Sequence, residues 1–273
     1  MEKSENQSFV SIFLVVGLSD AEEPQLSLFL VFLCIYLITV VGNLVILSVI
    51  SADHRLHTPM YFFLANLSII DIIFSSTTVP KLLFILVTAK KTVSFLDCVT
   101  QLSFFQFFVV AECYLLAIMA YDRYVAICFP LNYTLIMSRE VRFRMVIACW
   151  LSCSSTKLSE AIFLIVVVVA GMGPLTFILV TYGRIIGAVM KISTSKGRVK
   201  TFSTCASHFI VVALYYGSGI FSYIWPSSTY AMDKDVKVVA VLYTIMTPML
   251  NPIIYRTARK QDENGPLEED PEG

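Results

Sequence analysis

The sequence predicts an all-α, polytopic membrane helix bundle of seven helices with a truncated fourth. Three observations predict it. Of 273 residues, 57% are hydrophobic and only 15% charged, with a mean hydropathy of +0.76; a soluble domain of this size has no interior able to hide so much apolar surface. Most apolar residues fall in runs of roughly twenty or more, the length a helix needs to cross a hydrocarbon core of roughly 30 Å. The stretches around Arg55, from Arg139 to Arg144 and from Arg184 to Lys200 are basic, and basic loops belong in the cytoplasm, which sets the N-terminus outside. Lys and Arg balance Asp and Glu, 20 against 20, so membrane lipid is an implied partner and nucleic acid is not.

Residues 1–25 are polar apart from Phe9 to Leu18. Lys3 ahead of that short apolar block has the layout of a signal peptide, but no small-residue cleavage site follows. It reads as an uncleaved outer segment packed on the bundle. Asn6-Gln7-Ser8 is a glycosylation sequon. The sequons at Asn66 and Asn132 fall in a span and in an inner loop, away from the lumenal enzyme. Leu26 to Ile50 forms the first span and carries Gly42-Asn43, whose amide must find a partner on another helix because lipid offers none. The second span carries Asp71. A carboxylate there costs roughly 3 kcal/mol on insertion scales, so it faces the interior as a polar knot, with Asn43 and Asn251 as its expected partners.

The third run, Thr100 to Ala120, places Phe105, Gln106, Val109, Val110 and Cys113 on one helical face, a stripe that suits plain core as well as a pocket. It closes on Asp122-Arg123 at a membrane face, where charged residues commonly snorkel. In the fourth run only Met145 to Leu151 is strongly apolar before Ser152-Cys153-Ser154-Ser155. About ten helical residues reach about 15 Å, half the core. Ala161 to Val189, with Pro174 inside it, is the fifth span. The sixth starts at Lys200 and carries Tyr215, Tyr216 and Tyr223 in its outer half. The seventh, Val236 to Tyr255, ends in Pro248-Met249-Leu250-Asn251-Pro252-Ile253-Ile254-Tyr255. Pro252 bends that helix and frees carbonyls that Asn251 and Tyr255 can satisfy. Residues 26–256 therefore form the bundle, preceded by the outer segment 1–25. An acidic tail, 257–273, is expected to be disordered in the cytoplasm. Seven cysteines and His54, His57 and His208 show no metal-ligand spacing. With no phosphate loop or hydrolytic triad either, an enzyme is not expected. The absence of an internal repeat disfavours a transporter.

Five stretches together carry a resemblance. They are Met119-Ala120-Tyr121-Asp122-Arg123-Tyr124-Val125-Ala126-Ile127-Cys128 followed by Pro130-Leu131, Leu56-His57-Thr58-Pro59-Met60-Tyr61-Phe62-Phe63-Leu64-Ala65-Asn66-Leu67-Ser68, Thr181-Tyr182-Gly183-Arg184-Ile185, Lys200-Thr201-Phe202-Ser203-Thr204-Cys205-Ala206-Ser207-His208, and the Pro248 to Tyr255 segment. The chain resembles the olfactory receptors, the odorant-binding branch of the rhodopsin-like G-protein-coupled receptors. The resemblance implies a small-molecule odorant and a stimulatory heterotrimeric G protein as partners, at the plasma membrane. It implies an Arg123 held by neighbouring Asp122 at rest, with Tyr124, Tyr182, Asn251, Pro252 and Tyr255 completing the switch. It implies no cofactor beyond a sodium ion near Asp71, with Asn43 and Asn251. The ligand pocket would be lined by Phe105, Gln106, Val109, Val110, Val166, Val167, Ala170, Tyr216, Tyr223 and Thr244.

Two departures from the family pattern stand out. Leu151 to Leu158 resembles the far end of the second outer loop, which implies that several tens of residues are missing between Trp150 and Ser152. The loop cysteine that the family pairs with Cys98 would be among them, leaving an alternative Cys98–Cys153 disulfide as the expectation. The acidic tail replaces a basic one. A second reading follows, in which an internally deleted receptor does not signal and is retained in the endoplasmic reticulum.

Overall fold

The computed structural model describes residues 12–14, 22–88, 92–153, 160–224, 245–252 and 254. Its helices run in the order α1 (Glu22–Ala52), α2 (Pro59–Thr88), α3 (Phe95–Cys128), α4 (Arg139–Cys153), α5 (Glu160–Val189) and α6 (Ser195–Ile224), with residues 245–252 as α7. Four segments among the described residues are long and apolar enough to cross a membrane: Leu26–Ala52, Pro59–Thr88, Phe95–Cys128 and Gly171–Val189. Short polar devices set the boundaries. The Asp53 carboxylate accepts from Arg55 N at 3.0 Å and closes the turn between α1 and α2. Ser94 caps α3 by accepting from Asp97 N at 3.1 Å. Pro130, which cannot extend a helix, follows the last turn of α3, and a single helical turn at Tyr133–Ile136 leads on to α4.

The all-α expectation holds with one addition. Ile12–Leu14 (β1) pairs antiparallel with Thr92–Ser94 (β2), Phe13 opposite Val93. This ribbon ties part of the outer segment to the start of α3. The main core gathers Phe63, Leu67, Ile70, Leu115, Leu116 and Met119, with Ile178 and Val211 closing it from α5 and α6. A second cluster, Phe32, Val79, Leu83 and Ile245, joins α1, α2 and α7. On α1, Leu37, Ile38, Val41 and Val45 point outward, as a face meant for lipid does.

The fourth span is longer than its apolar run. The helix takes in Arg139 to Arg144 at one end and Ser152 and Cys153 at the other, 15 residues in all. That is still only about 22 Å against a core of roughly 30 Å. Cys149 Sγ donates to Ala111 O at 3.3 Å, and Trp150 packs on Phe107 and Phe108 at 5.8 and 6.5 Å. The end of α4 therefore lies beside the middle of α3, about 18 Å along from its start at Phe95.

Candidate functional site

Five helices contribute polar groups to a buried chain across the bundle. Asn251 Nδ2 on α7 donates to Asp71 Oδ2 on α2 at 2.9 Å. The Asp71 carboxyl lies within hydrogen-bonding reach of Glu112 on α3. Glu112 in turn faces the hydroxyl of Tyr215 on α6. Tyr215 donates to Val109 O at 2.7 Å and accepts from Cys113 Sγ at 3.6 Å. The expected Asn43–Asp71 contact is replaced: Asn43 Nδ2 donates to Thr39 O at 3.0 Å and to Pro248 O at 3.2 Å. Pro252 removes the N–H that would have bonded the carbonyl four residues earlier, and that carbonyl is Pro248's. Asn43 thus satisfies a group the proline frees. Gly42 lets the helices come this close, since a Cβ there would lie 3.2 Å from Pro252 Cγ.

Glu112 is the site residue that the sequence reading passed over. The signal was present, because it is the one charged residue between Thr100 and Ala120. Asp71 Oδ1 and Glu112 Oε1 are buried without a donor. Two carboxylates this close in a low-dielectric interior need a shared proton or a cation.

At the inner end of α3 the arrangement differs from the expected Asp122–Arg123 pair. Among the described residues, Arg144 forms an ion pair with Glu140 at 2.6 Å, whereas Asp122 Oδ1 accepts from the Tyr133 hydroxyl at 2.8 Å. The reason is geometric: consecutive helical residues diverge by about 100°, so i and i+1 side chains do not face each other. Arg123 Nε and Asp122 Oδ2 are buried with no hydrogen-bond partner. Burial above all, then the charge of Asp122, pushes the Tyr133 hydroxyl well up from its ordinary range. Tyr124 lies edge-on to Phe129 at 5.6 Å. Tyr182 on α5 shares a 2.6 Å hydrogen bond with His208 Nδ1 on α6, and the rings stack at 5.8 Å.

Of the expected pocket residues, Gln106 and Val110 are buried and Phe105, Val109 and Tyr216 half-buried. Phe105 packs on Phe74 at 5.2 Å, and Gln106 Nε2 and the Tyr216 hydroxyl are buried without partners. Val166, Val167, Ala170 and Tyr223 fall on α5 and α6, but their side chains, like that of Cys153, lie outside the described residues, as do Asn6, Thr244 and Tyr255 altogether. Cys98 is a half-buried free thiol.

A sequence model of the family described as olfactory receptor matches residues 32–150 and 144–264. Human olfactory receptor 5A2 is 40% identical over 311 residues, covering 99% of this chain and 96% of that receptor. Since this chain has 273 residues, at least 38 of those 311 positions have no counterpart in it. The two matched blocks meet at 144–150, inside α4, beside the point where the sequence pattern breaks. Human olfactory receptor 1M1 is 42% identical over 299 residues, covering 96% of this chain and 95% of the receptor. Mouse olfactory receptor 1J21 is 43% identical, with coverage of 96% and 95%. The crystal structure of squid rhodopsin superposes with a TM-score of 0.74 at 17% identity, over 93% of this chain and 83% of that one, a likeness of fold. With the family model spanning most of the chain and relatives near 40% identity over nearly its whole length, this multi-pass membrane protein belongs to the olfactory receptor family, whose members are receptors and not enzymes.

Proposed function

We propose that this chain is an odorant receptor that binds a small volatile or amphipathic ligand in the outer half of the bundle and activates a stimulatory G protein through the inner end of α3. The observation that carries the reading is the Tyr215–Val109 hydrogen bond. It joins α6 to the stripe of α3 that includes Phe105, Gln106 and Val110, and it stands next to the acid pair that reaches α7. A ligand against that stripe acts on the bond directly. Its release favours a state in which α6 shifts, the Tyr182–His208 bond between α5 and α6 rearranges, and Arg123 is presented to the G protein. The ligand drives this only by the difference in its affinity for the two states.

A sodium ion fits the same chain. Asp71, Glu112 and Asn251 would hold it, and the orphaned oxygens of the two acids are the observation that favours it. Bound there, the cation supplies charge compensation to the resting arrangement. Ligand-evoked cyclic AMP in cells expressing the full chain, against an odorant panel, tests the receptor reading. Tyr215→Phe is expected to lower ligand potency or raise basal signal by releasing α6. Glu112→Gln and Asp71→Asn are each expected to abolish any sodium dependence of ligand affinity. A surface-expressed chain with no odorant response above vector controls overturns the proposal in favour of a non-signalling, retained receptor.

A further inference from the structure

A cavity of about 390 Å³ opens between the first inner turn, the start of α2 and the start of α4; His57, Thr58, Phe62, Arg139, Arg142 and Phe143 line it. It lies away from the polar chain and the ligand stripe. Its cations are fixed by aromatic walls: the Arg142 guanidinium stands 5.9 Å from the Phe62 ring centre, and that of Arg139 5.7 Å from the Phe143 ring. The two rings meet each other at 5.0 Å. Arg142 Nε is buried and makes no hydrogen bond, an unmet donor beside an open space. Glu140 does not neutralise the cluster, because it pairs with Arg144 at 2.6 Å on the exposed side of α4.

From this cavity we infer a binding site for the phosphate headgroup of an anionic phospholipid of the cytoplasmic leaflet. Arginine forks and a histidine suit a phosphate diester, and all of them sit at basic inner ends, where anionic lipid is concentrated. What selects a lipid over a soluble phosphate is the path beyond the headgroup. Phe143, Ile147 and Leu151 follow one another at four-residue spacing up α4 and are 44, 54 and 66% exposed. They form an apolar track from the cavity into the membrane, along which an acyl chain can lie. The shortened α4 gains from this occupant, because the headgroup neutralises arginines drawn toward the hydrocarbon. Arg142 also acts electrostatically on Asp122, so the bound phosphate draws on a cation whose field reaches that carboxylate.

The test uses the full chain in phosphatidylcholine nanodiscs with a photoreactive dioctanoyl phosphatidylglycerol, mapped by mass spectrometry. Labelling is expected in peptides covering 54–65 and 139–151, and an equivalent phosphatidylcholine probe is expected to label them several-fold less. Arg139→Gln and Arg142→Gln should each weaken the anionic probe by about fivefold, from about 1 kcal/mol per basic residue near a lipid surface. Arg144→Gln should change it by less than twofold. Melting curves identify any variant that fails to fold, and the exposed Arg139 substitution and the wild-type labelling map decide the matter without Arg142. Labelling elsewhere, equal labelling by the neutral probe, or unchanged affinity in folded Arg139→Gln overturns the site. Full displacement by equimolar glycerol 3-phosphate assigns it to a soluble anion and overturns the lipid.

Discussion

Arg123 and Asp122 are adjacent in sequence, yet the hydrogen bond to the Asp122 carboxylate comes from Tyr133. Its hydroxyl gives Asp122 the hydrogen bond that Arg123 does not. Hydrogen bonds to charged groups contribute about 1.5–3 kcal/mol, so Tyr133→Phe leaves Asp122 seeking its remaining neighbour, Arg123. Weaker G-protein coupling at unchanged ligand occupancy is expected. A coupling assay with the wild-type response would remove Tyr133 from the switch. Because its hydroxyl is shifted upward, the stability it contributes is complete below its unfolded value of about 10 and is lost only above that. Tyr133 therefore adds no pH dependence to coupling between about pH 5 and 9. Arg123→Ala is expected to abolish coupling while ligand still binds, and intact coupling in that variant would show that another group meets the G protein.

Among the helices, α1 and α7 meet closely at Gly42 and Asn43. Gly42 leaves room for Pro252, and one residue on, Asn43 reaches the carbonyl of Pro248. A valine at 42 would press on a proline ring that cannot rotate aside. Gly42→Val is expected to cost about 1–3 kcal/mol by overpacking, read as a lower melting temperature of the purified chain in detergent. An unchanged melting temperature would mean that α1 and α7 are farther apart in the membrane. The second element with a consequence is α4, whose contacts with Ala111, Phe107 and Phe108 anchor it although it is too short to span unaided. Trp150→Ala removes its largest anchor, and a loss of about 3–5 kcal/mol is expected for a buried tryptophan. Half-buried as Trp150 is, the lower end applies, and recovery of monodisperse protein measures it.

For the whole molecule, the basic stretches before α4 and after α5 both require the cytoplasm, so two crossings must lie between them. With α4 about 8 Å short of a roughly 30 Å core, the bilayer must thin or the arginines must snorkel. Mixed topology and poor export are expected. An epitope in the Ile192 to Arg198 loop, probed first with only the plasma membrane permeabilised and then with all membranes opened, measures this. Uniform cytoplasmic exposure with efficient surface delivery would show that α4 crosses well enough. The same topology makes Asn6 the one glycosylated asparagine. A single glycosidase shift, lost in Asn6→Gln, is the expected result, and a shift surviving that substitution would reverse the orientation.

The helix bundle, the order of its spans, the family and the broken fourth helix were all legible in the sequence by itself. Each rests on local quantities: apolar run length, loop charge, and short stretches such as Leu56 to Ser68 whose residues are contiguous. Asp71 and Asn251 were legible as partners for a related reason, since lipid leaves an intramembrane polar group no alternative to another helix. Only the tertiary structure decided which partners meet. It turned Asn43 to Pro248, brought Glu112 to Asp71, and gave Asp122 to Tyr133. It also placed Arg139 and Arg142 beside His57, a cavity made by three separate segments. Pairing of side chains depends on helix rotation and depth, and packing of the whole bundle sets both. No stretch of sequence carries that information alone.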